Sequence, residues 1–160
     1  MAAMELTAEL GGEMPQPHSA TPDSNDAAPP LRIVIGENNT DLATTLSMLL
    51  ETEPDMACVA TVSSTRGVLD ATERHQPNAF ILDLSLDDGP SIGLIEQLRA
   101  RLPRSAIVVF TGHKNELLNE QCRRAGADAV IVKSGEIAEL TEALRRAANG
   151  AGGLKRAAST

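Results

Sequence analysis

Between Leu31 and Asn149 the chain alternates short unbroken apolar runs with longer stretches in which apolar residues recur at three- and four-residue spacing. An unbroken run of β-branched and aliphatic residues reads as a strand buried on both faces, and the wider spacing reads as an amphipathic helix. Leu31–Gly36 is the first such run. Leu42, Leu46, Leu49 and Leu50 then predict a helix capped by Asn39 or Thr40 and stopped near Glu53, because Pro54 disfavours helix in the residue before it. Met56–Val62 is a second strand. Ser63 or Ser64 caps a helix carrying Val68, Leu69 and Ala71 toward Arg74. The third strand runs from Ala79 to Asp83. A polar loop from Ser85 to Ser91 leads to a helix through Ile92, Leu94, Ile95 and Leu98, ended by Pro103. Ala106–Phe110 is the fourth strand and continues into Thr111-Gly112. A helix from about Asn115 carries Leu117, Leu118 and Cys122 and stops at Gly126. Ala129–Val132 is the fifth strand and ends at Lys133. Ser134 caps a last helix with Ile137, Leu140, Leu144 and Ala148 on one face.

Strand–helix units repeated in this way call for a parallel α/β sheet with helices on both faces. The flavodoxin-like strand order 2-1-3-4-5 places a switch point between the first and third strands, and ligands bind beyond the carboxyl ends of strands at such points.

The flanks differ in composition. Residues 1–30 hold no Lys or Arg, several acids and Pro15, Pro17, Pro22, Pro29 and Pro30, the mark of a disordered leader, with at most a transient helical turn over Glu5–Leu10. Residues 31–150 form the folded domain. Residues 151–160, beginning Ala151-Gly152-Gly153, read as a flexible tail. A net charge of −8 argues against direct nucleic-acid binding, which needs a basic patch. No apolar run reaches membrane-spanning length and no secretory signal is visible, so a cytoplasmic location is expected. Phe80 and Phe110 are the only aromatic residues, so the core is aliphatic. Cys58 and Cys122 lack metal spacing and read as small buried hydrophobes.

The chemistry collects at the strand ends. Glu37 and Asn38 follow the first strand, Asp83 closes the third, Thr111 the fourth and Lys133 the fifth. Neighbouring carboxylates suit a hard cation such as Mg²⁺, an ammonium pairs with a carboxylate or a phosphoryl oxygen, and a hydroxyl donates to the same oxygens. Asp83 would be the nucleophile of a phosphoryl transfer through an aspartyl-phosphate. Taken alone, each residue has a plainer reading. Asp83 would be a cap or loop acid, Glu37 and Asn38 turn residues, and Asp87-Asp88 a solvated loop. Arg123-Arg124 and Arg145-Arg146 would be solvated helix faces, His113, two positions beyond Thr111, an exposed loop residue at the rim, and His18 and His75 have no evident partners. It is the register of Asp83 with Thr111 and Lys133 that favours a site.

With these residues the sequence resembles the receiver domain of two-component response regulators over roughly Leu31 to Asn149, and Phe80–Leu86, Ala125–Asp128 and Glu139–Arg146 look most like its LuxR-type branch. The resemblance implies a CheY-like fold in which Asp83 accepts a phosphoryl group from a histidine kinase or phosphotransfer protein. It makes Thr111 the switch hydroxyl, Lys133 the lysine contacting the phosphoryl group and Gly112 the residue that keeps access open. Glu37, Asn38, Asp83 and the Ser85 backbone carbonyl would hold Mg²⁺, and the fourth and fifth helices would carry the surface for an output protein. A receiver catalyses at most its own phosphoryl transfer and dephosphorylation.

The departures from that pattern point to a second reading. Asn38 stands where a metal-binding acid is expected, so weaker Mg²⁺ binding and slow phosphorylation are predicted. Val130 occupies the usual aromatic switch position, Asp87 replaces a proline often found there, and the loop Asp87–Ser91 is longer than typical. Ser134 follows Lys133 where a proline is common, a mild departure in the LuxR-type branch. LuxR-type regulators continue into a helix-turn-helix domain, which a chain of this length has no room for; taken as written, it would be a stand-alone or truncated receiver expected to signal through protein contacts. The alternative is a pseudo-receiver that binds a partner without phosphorylation. A phosphatase of the haloacid dehalogenase type is disfavoured by Ser85 in place of its second acid, and a nucleotide-binding protein by the lack of a Gly-rich loop after the first strand.

Overall fold

A computed structural model describes residues 28–112 and 114–158, the last eight of these in backbone only. The expectations for residues 1–27, including the helical turn and His18, and that for His113 lie outside the described residues. Five parallel strands form one sheet: β1 (Leu31–Gly36), β2 (Met56–Val62), β3 (Ala79–Leu82), β6 (Ala106–Thr111) and β7 (Ala129–Val132). Their order is β2-β1-β3-β6-β7, the expected 2-1-3-4-5 arrangement. Between β3 and the third helix a short antiparallel pair, β4 (Ser85–Leu86) and β5 (Gly89–Pro90), replaces the polar loop of the sequence reading. The helices are α1 (Thr40–Glu51), α2 (Thr65–His75), α3 (Ile92–Arg101), α4 (Glu116–Ala125) and α5 (Ile137–Ala158).

The unbroken apolar runs are explained by the two faces of the sheet. Ile33, Ile35, Ile81, Val108 and Phe110 point to one side and pack with Leu46 and Leu50 of α1 and Leu140 and Leu144 of α5. Val34, Phe80, Leu82, Ile107 and Val109 point to the other and pack with Val68, Leu94, Ile95, Leu98 and Cys122 of α2, α3 and α4. Each fully buried side chain of this kind contributes about 1.5–3 kcal/mol, so the alternation within every central strand stabilises both layers at once.

Helix boundaries follow local chemistry. Asn39, Ser64 and Asn115 are the caps of α1, α2 and α4, each accepting from a backbone N–H three residues on. Gly126 ends α4 at φ +125. Two expectations need correction. Ser134 does not cap α5, which begins only at Ile137; a turn intervenes, with Gly135 N–H donating to the Val132 carbonyl at 3.0 Å. The helix also runs on to Ala158, past the Gly-rich stretch assigned to the tail. Glycine costs a helix about 1 kcal/mol relative to alanine, so it marks a stop only on average.

Long-range ion pairs hold the ends of the sheet. Arg145 is no free solvated arginine: its guanidinium binds Asp55 at 2.8 and 2.9 Å and Glu53 at 2.6 Å, joining α5 to the α1–β2 turn. Arg99 donates to the carbonyls of Gly126, Pro103 and Ser105 and to Asp128, tying α3 to the starts of β6 and β7. Arg124 pairs with Glu120 one helical turn away, as a solvated helix face would. Among the described residues Cys58 and Cys122 are free thiols, half-buried and buried, and burial raises the pKa of both.

Candidate functional site

The site lies at the carboxyl ends of β1, β3, β6 and β7, where neighbouring strands leave their last residues side by side. Gly36 pairs with Leu82 in the β1–β3 ladder, and Thr111 pairs with Val132 in the β6–β7 ladder. The next residues along, Glu37, Asp83 and Lys133, converge. Lys133 Nζ is 2.7 Å from Glu37 Oε1 and 3.1 Å from Asp83 Oδ2. The two carboxylate side chains are 2% and 8% exposed, the lysine 24%, so the cluster opens to solvent on the lysine side. Lys133 Nζ also stands 5.9 Å from the centre of the Phe110 ring, an added contact for the cation.

Every polar atom of Asp83 has a partner. Its N–H donates to the Gly36 carbonyl at 2.8 Å, and its carbonyl accepts from the Ser91 hydroxyl at 2.6 Å. Oδ1 accepts from the Ser85 N–H at 3.1 Å, and Oδ2 from Lys133. Glu37 is held as firmly: its N–H donates to the Val62 carbonyl at 2.9 Å and Oε2 accepts from the Asn39 N–H at 3.1 Å. Burial raises the Glu37 pKa above its ordinary 4.5, against the opposing pull of Lys133 and Asn39. For Lys133, burial of the ammonium is the largest influence and works downward, but hydrogen bonds to Glu37 and Asp83 outweigh it and leave the pKa above 10.5.

The other predicted residues fall around this cluster. Thr111 is fully buried at the end of β6, and its carbonyl accepts from the Lys133 N–H at 2.7 Å. Gly112 is exposed, and a side chain added there would meet only the Lys133 stem, at 4.0 Å. Ser85 reaches Asp83 through its N–H. Val130 is half-buried and packs against the α2–α4 side of the core, so an aliphatic side chain takes the place expected of an aromatic ring. Asn38 is exposed beside Glu37 and is not part of the buried cluster.

A residue-level search from sequence misses Ser91. It is fully buried at the N-cap position of α3 yet makes no side-chain capping bond, because its hydroxyl is given to the Asp83 carbonyl. No pattern separates such a serine from an ordinary cap. Asp88, read as part of a solvated loop, instead caps α2 from outside. Its carboxylate accepts from the N–H groups of Thr65 and Arg66 at 2.7 and 3.1 Å, and these bonds lower its pKa.

Glu37 and Asp83 supply hard oxygen donors of the kind Mg²⁺ takes, one or two carboxylates being its common protein share. In that respect the residues fit a divalent cation. Among the described residues, however, no third His, Cys, Asp or Glu joins them, and both carboxylates already share the Lys133 ammonium.

The family model for the response regulator receiver domain matches residues 33–145, more than two thirds of the chain and the whole of this site. The chain belongs to the response regulator receiver domain family. The receiver's curated relatives are remote. The uncharacterized transcriptional regulatory protein YvfU of Bacillus subtilis is 26% identical over 120 residues, covering 75% of this chain and 60% of its own length. The oxygen regulatory protein NreC of Staphylococcus haemolyticus is 30% identical over 117 residues, 72% of this chain and 54% of its own. The nitrate/nitrite response regulator protein NarL of Escherichia coli K12 is 27% identical over 121 residues, 76% and 56% respectively. The receiver thus spans little more than half the length of the curated relatives it matches. A LuxR-family two-component response regulator from Aurantimonas sp. SI85-9A1 superposes with a TM-score of 0.71 at 23% identity, covering 76% of this chain and 86% of that one, a likeness of fold. Among the described residues no helix is long and apolar enough to cross a membrane.

Proposed function

We propose that this receiver accepts a phosphoryl group on Asp83 and signals through protein contacts. The observation that carries the proposal is the pairing of Asp83, at the end of β3, with the Lys133 ammonium at 3.1 Å inside a receiver fold. In the reaction the Asp83 carboxylate attacks the phosphorus of a phosphohistidine on a histidine kinase or phosphotransfer protein. The O–P bond forms as the P–N bond breaks, and the imidazole takes up a proton. Phosphoryl transfer needs mainly positioning and charge neutralisation. Here Lys133 supplies a positive charge, the Thr111 hydroxyl is the switch group and Gly112 leaves the approach open. Mg²⁺, when bound by Glu37, Asp83 and the Ser85 carbonyl, would neutralise further charge on the phosphoryl oxygens. Asn38 brings no charge to that set, so the metal binds weakly.

The output surface in this proposal is α4 and α5. Leu117 is 70% exposed and Ile137 36%, and Arg123, Arg124 and Arg146 are exposed around them. The partner is a protein, the chain makes no direct nucleic-acid contact, and the setting is cytoplasmic. Apart from its own phosphorylation and dephosphorylation the chain is not an enzyme.

A second reading is supported by Asn38 and Val130 together. A receiver without the second pocket acid and without the aromatic switch is a binding module that needs no phosphorylation. The two readings separate on mass after incubation with a small phosphodonor and Mg²⁺. A phosphoryl adduct that disappears in Asp83→Asn supports the acceptor. No adduct from either a small donor or a kinase-bound phosphohistidine, together with no saturable Mg²⁺ binding, supports the binding module.

A further inference from the structure

The segment between Asp83 and α3 is folded. In the β4–β5 pair Ser85 lies opposite Pro90 and Leu86 opposite Gly89, leaving Asp87-Asp88 as a two-residue turn. Gly89 follows at φ +124, a conformation that residues with a side chain rarely adopt. Leu84 and Leu86 are buried in the core on the α2–α4 side and root the hairpin.

The tip of this hairpin docks on the N-terminus of α2. Asp88 Oδ1 accepts from the Thr65 N–H at 2.7 Å, and Oδ2 accepts from the Arg66 N–H at 3.1 Å and the Thr65 hydroxyl at 2.8 Å. The Asp87 N–H donates to the Ser63 carbonyl at 3.0 Å. Ser64 takes the Gly67 N–H, so the two side chains together satisfy donors that a helix start otherwise leaves to water. The positive end of the helix favours a carboxylate there. The base of the same hairpin frames Asp83: the Ser85 N–H is on its Oδ1, the Ser91 hydroxyl on its carbonyl, and the Ser91 N–H on the Leu84 carbonyl at 3.2 Å.

We propose that Asp88 is a positioning residue for Asp83. By clasping the α2 N-terminus it holds the hairpin in the one arrangement that keeps the Ser85 N–H on Asp83 Oδ1. That bond fixes the rotation of the carboxylate and with it which oxygen faces the incoming phosphorus. Orientation of a reacting group is a large part of a transfer barrier. The inference rests on the reading of Asp83 as acceptor and extends it to a residue outside the pocket. A plain helix cap at Asp88 would support α2 and leave Asp83 indifferent.

The test uses the full chain as wild type, Asp88→Ala and Asp88→Asn, with residue-resolved amide exchange and the rate of phosphoryl labelling by acetyl phosphate. Asp88→Ala is expected to speed exchange at Ser85, Asp87 and Ser91 on the order of tenfold, while Ile81 and Val108 are unchanged, because the hairpin opens without the sheet. Labelling slows in parallel, and Asp88→Asn, which keeps an oxygen for the Thr65 N–H, falls between. Unchanged exchange at Ser85 and Ser91 overturns the proposal. So does a rise shared by Ile81 and Val108, and so does a loosened hairpin with an unchanged labelling rate. Exchange needs no phosphorylation, so a wild type that takes no label from acetyl phosphate or from a kinase-bound phosphohistidine overturns the acceptor reading, and with it Asp88's role in transfer, while the exchange still decides whether Asp88 holds the hairpin.

Discussion

Lys133 sits closer to Glu37 than to Asp83, 2.7 Å against 3.1 Å. The lysine is anchored by the acid that is not the proposed acceptor, and Asp83 is the more distant of its two carboxylate partners. This arrangement suits an acceptor whose charge changes.

The same geometry makes Lys133 a structural keystone. Lys133→Met leaves two buried carboxylates facing each other, and removing one partner of a buried ion pair costs about 3–5 kcal/mol. Lys133 is partly open to solvent, so the lower end of that range applies, roughly 3 kcal/mol by urea unfolding at neutral pH. Asp83→Asn leaves the Glu37–Lys133 pair intact and is expected to cost well under that, which makes it a fair control for labelling.

The pH dependence has a definite sign at each end. Lys133 is raised above 10.5, so its stabilising contribution is complete below pH 10.5 and is lost as pH rises through the higher folded value. Glu37 is raised above 4.5 by burial, so the folded state holds the proton more tightly than the unfolded chain. Its ionisation therefore subtracts stability as pH rises from 4.5 through the folded value. The unfolding free energy of wild type minus that of Glu37→Gln should fall as pH rises through the acid window. A difference that grows over the same window contradicts the assignment.

Much of this was legible in the chain because the central strands are buried on both faces. Continuous runs such as Ala79–Leu82 and Ala106–Thr111 have only one sensible reading, and the strand order then brings Asp83 and Lys133, fifty positions apart, to one edge. The caps of α1 and α2 were readable to within one residue, as Asn39 or Thr40 and Ser63 or Ser64, because a short polar side chain before a periodic apolar stretch has few other uses. Asp88, Ser91 and Arg145 were not. Each makes its decisive bond to a distant element: Asp88 to α2, Ser91 to the end of β3, Arg145 to a turn ninety residues away. Their local sequence is that of any solvated loop, cap or helix face. The run of α5 beyond Gly150 was hidden for a similar reason, since glycine marks a helix stop only on average.

Asn38 is the residue whose change should most alter metal affinity. It is exposed beside Glu37, where a new carboxylate has room and a buried partner to share a cation with. Asn38→Asp is expected to tighten Mg²⁺ binding on the order of tenfold, since affinity at oxygen sites rises with ligand charge. Titration calorimetry of both proteins measures it. Equal affinities would place the metal, if it binds, away from Glu37 and Asn38.

The measurement that bears most directly on the whole account is intact mass after incubation with acetyl phosphate and Mg²⁺, run on wild type and Asp83→Asn side by side. The account predicts one phosphoryl adduct on the wild type and none on the variant. An adduct that persists in Asp83→Asn would contradict Asp83 as the acceptor. A wild type that takes no phosphoryl group, from this donor or from a kinase-bound phosphohistidine, would contradict phosphorylation itself and leave a receiver fold that works by binding alone.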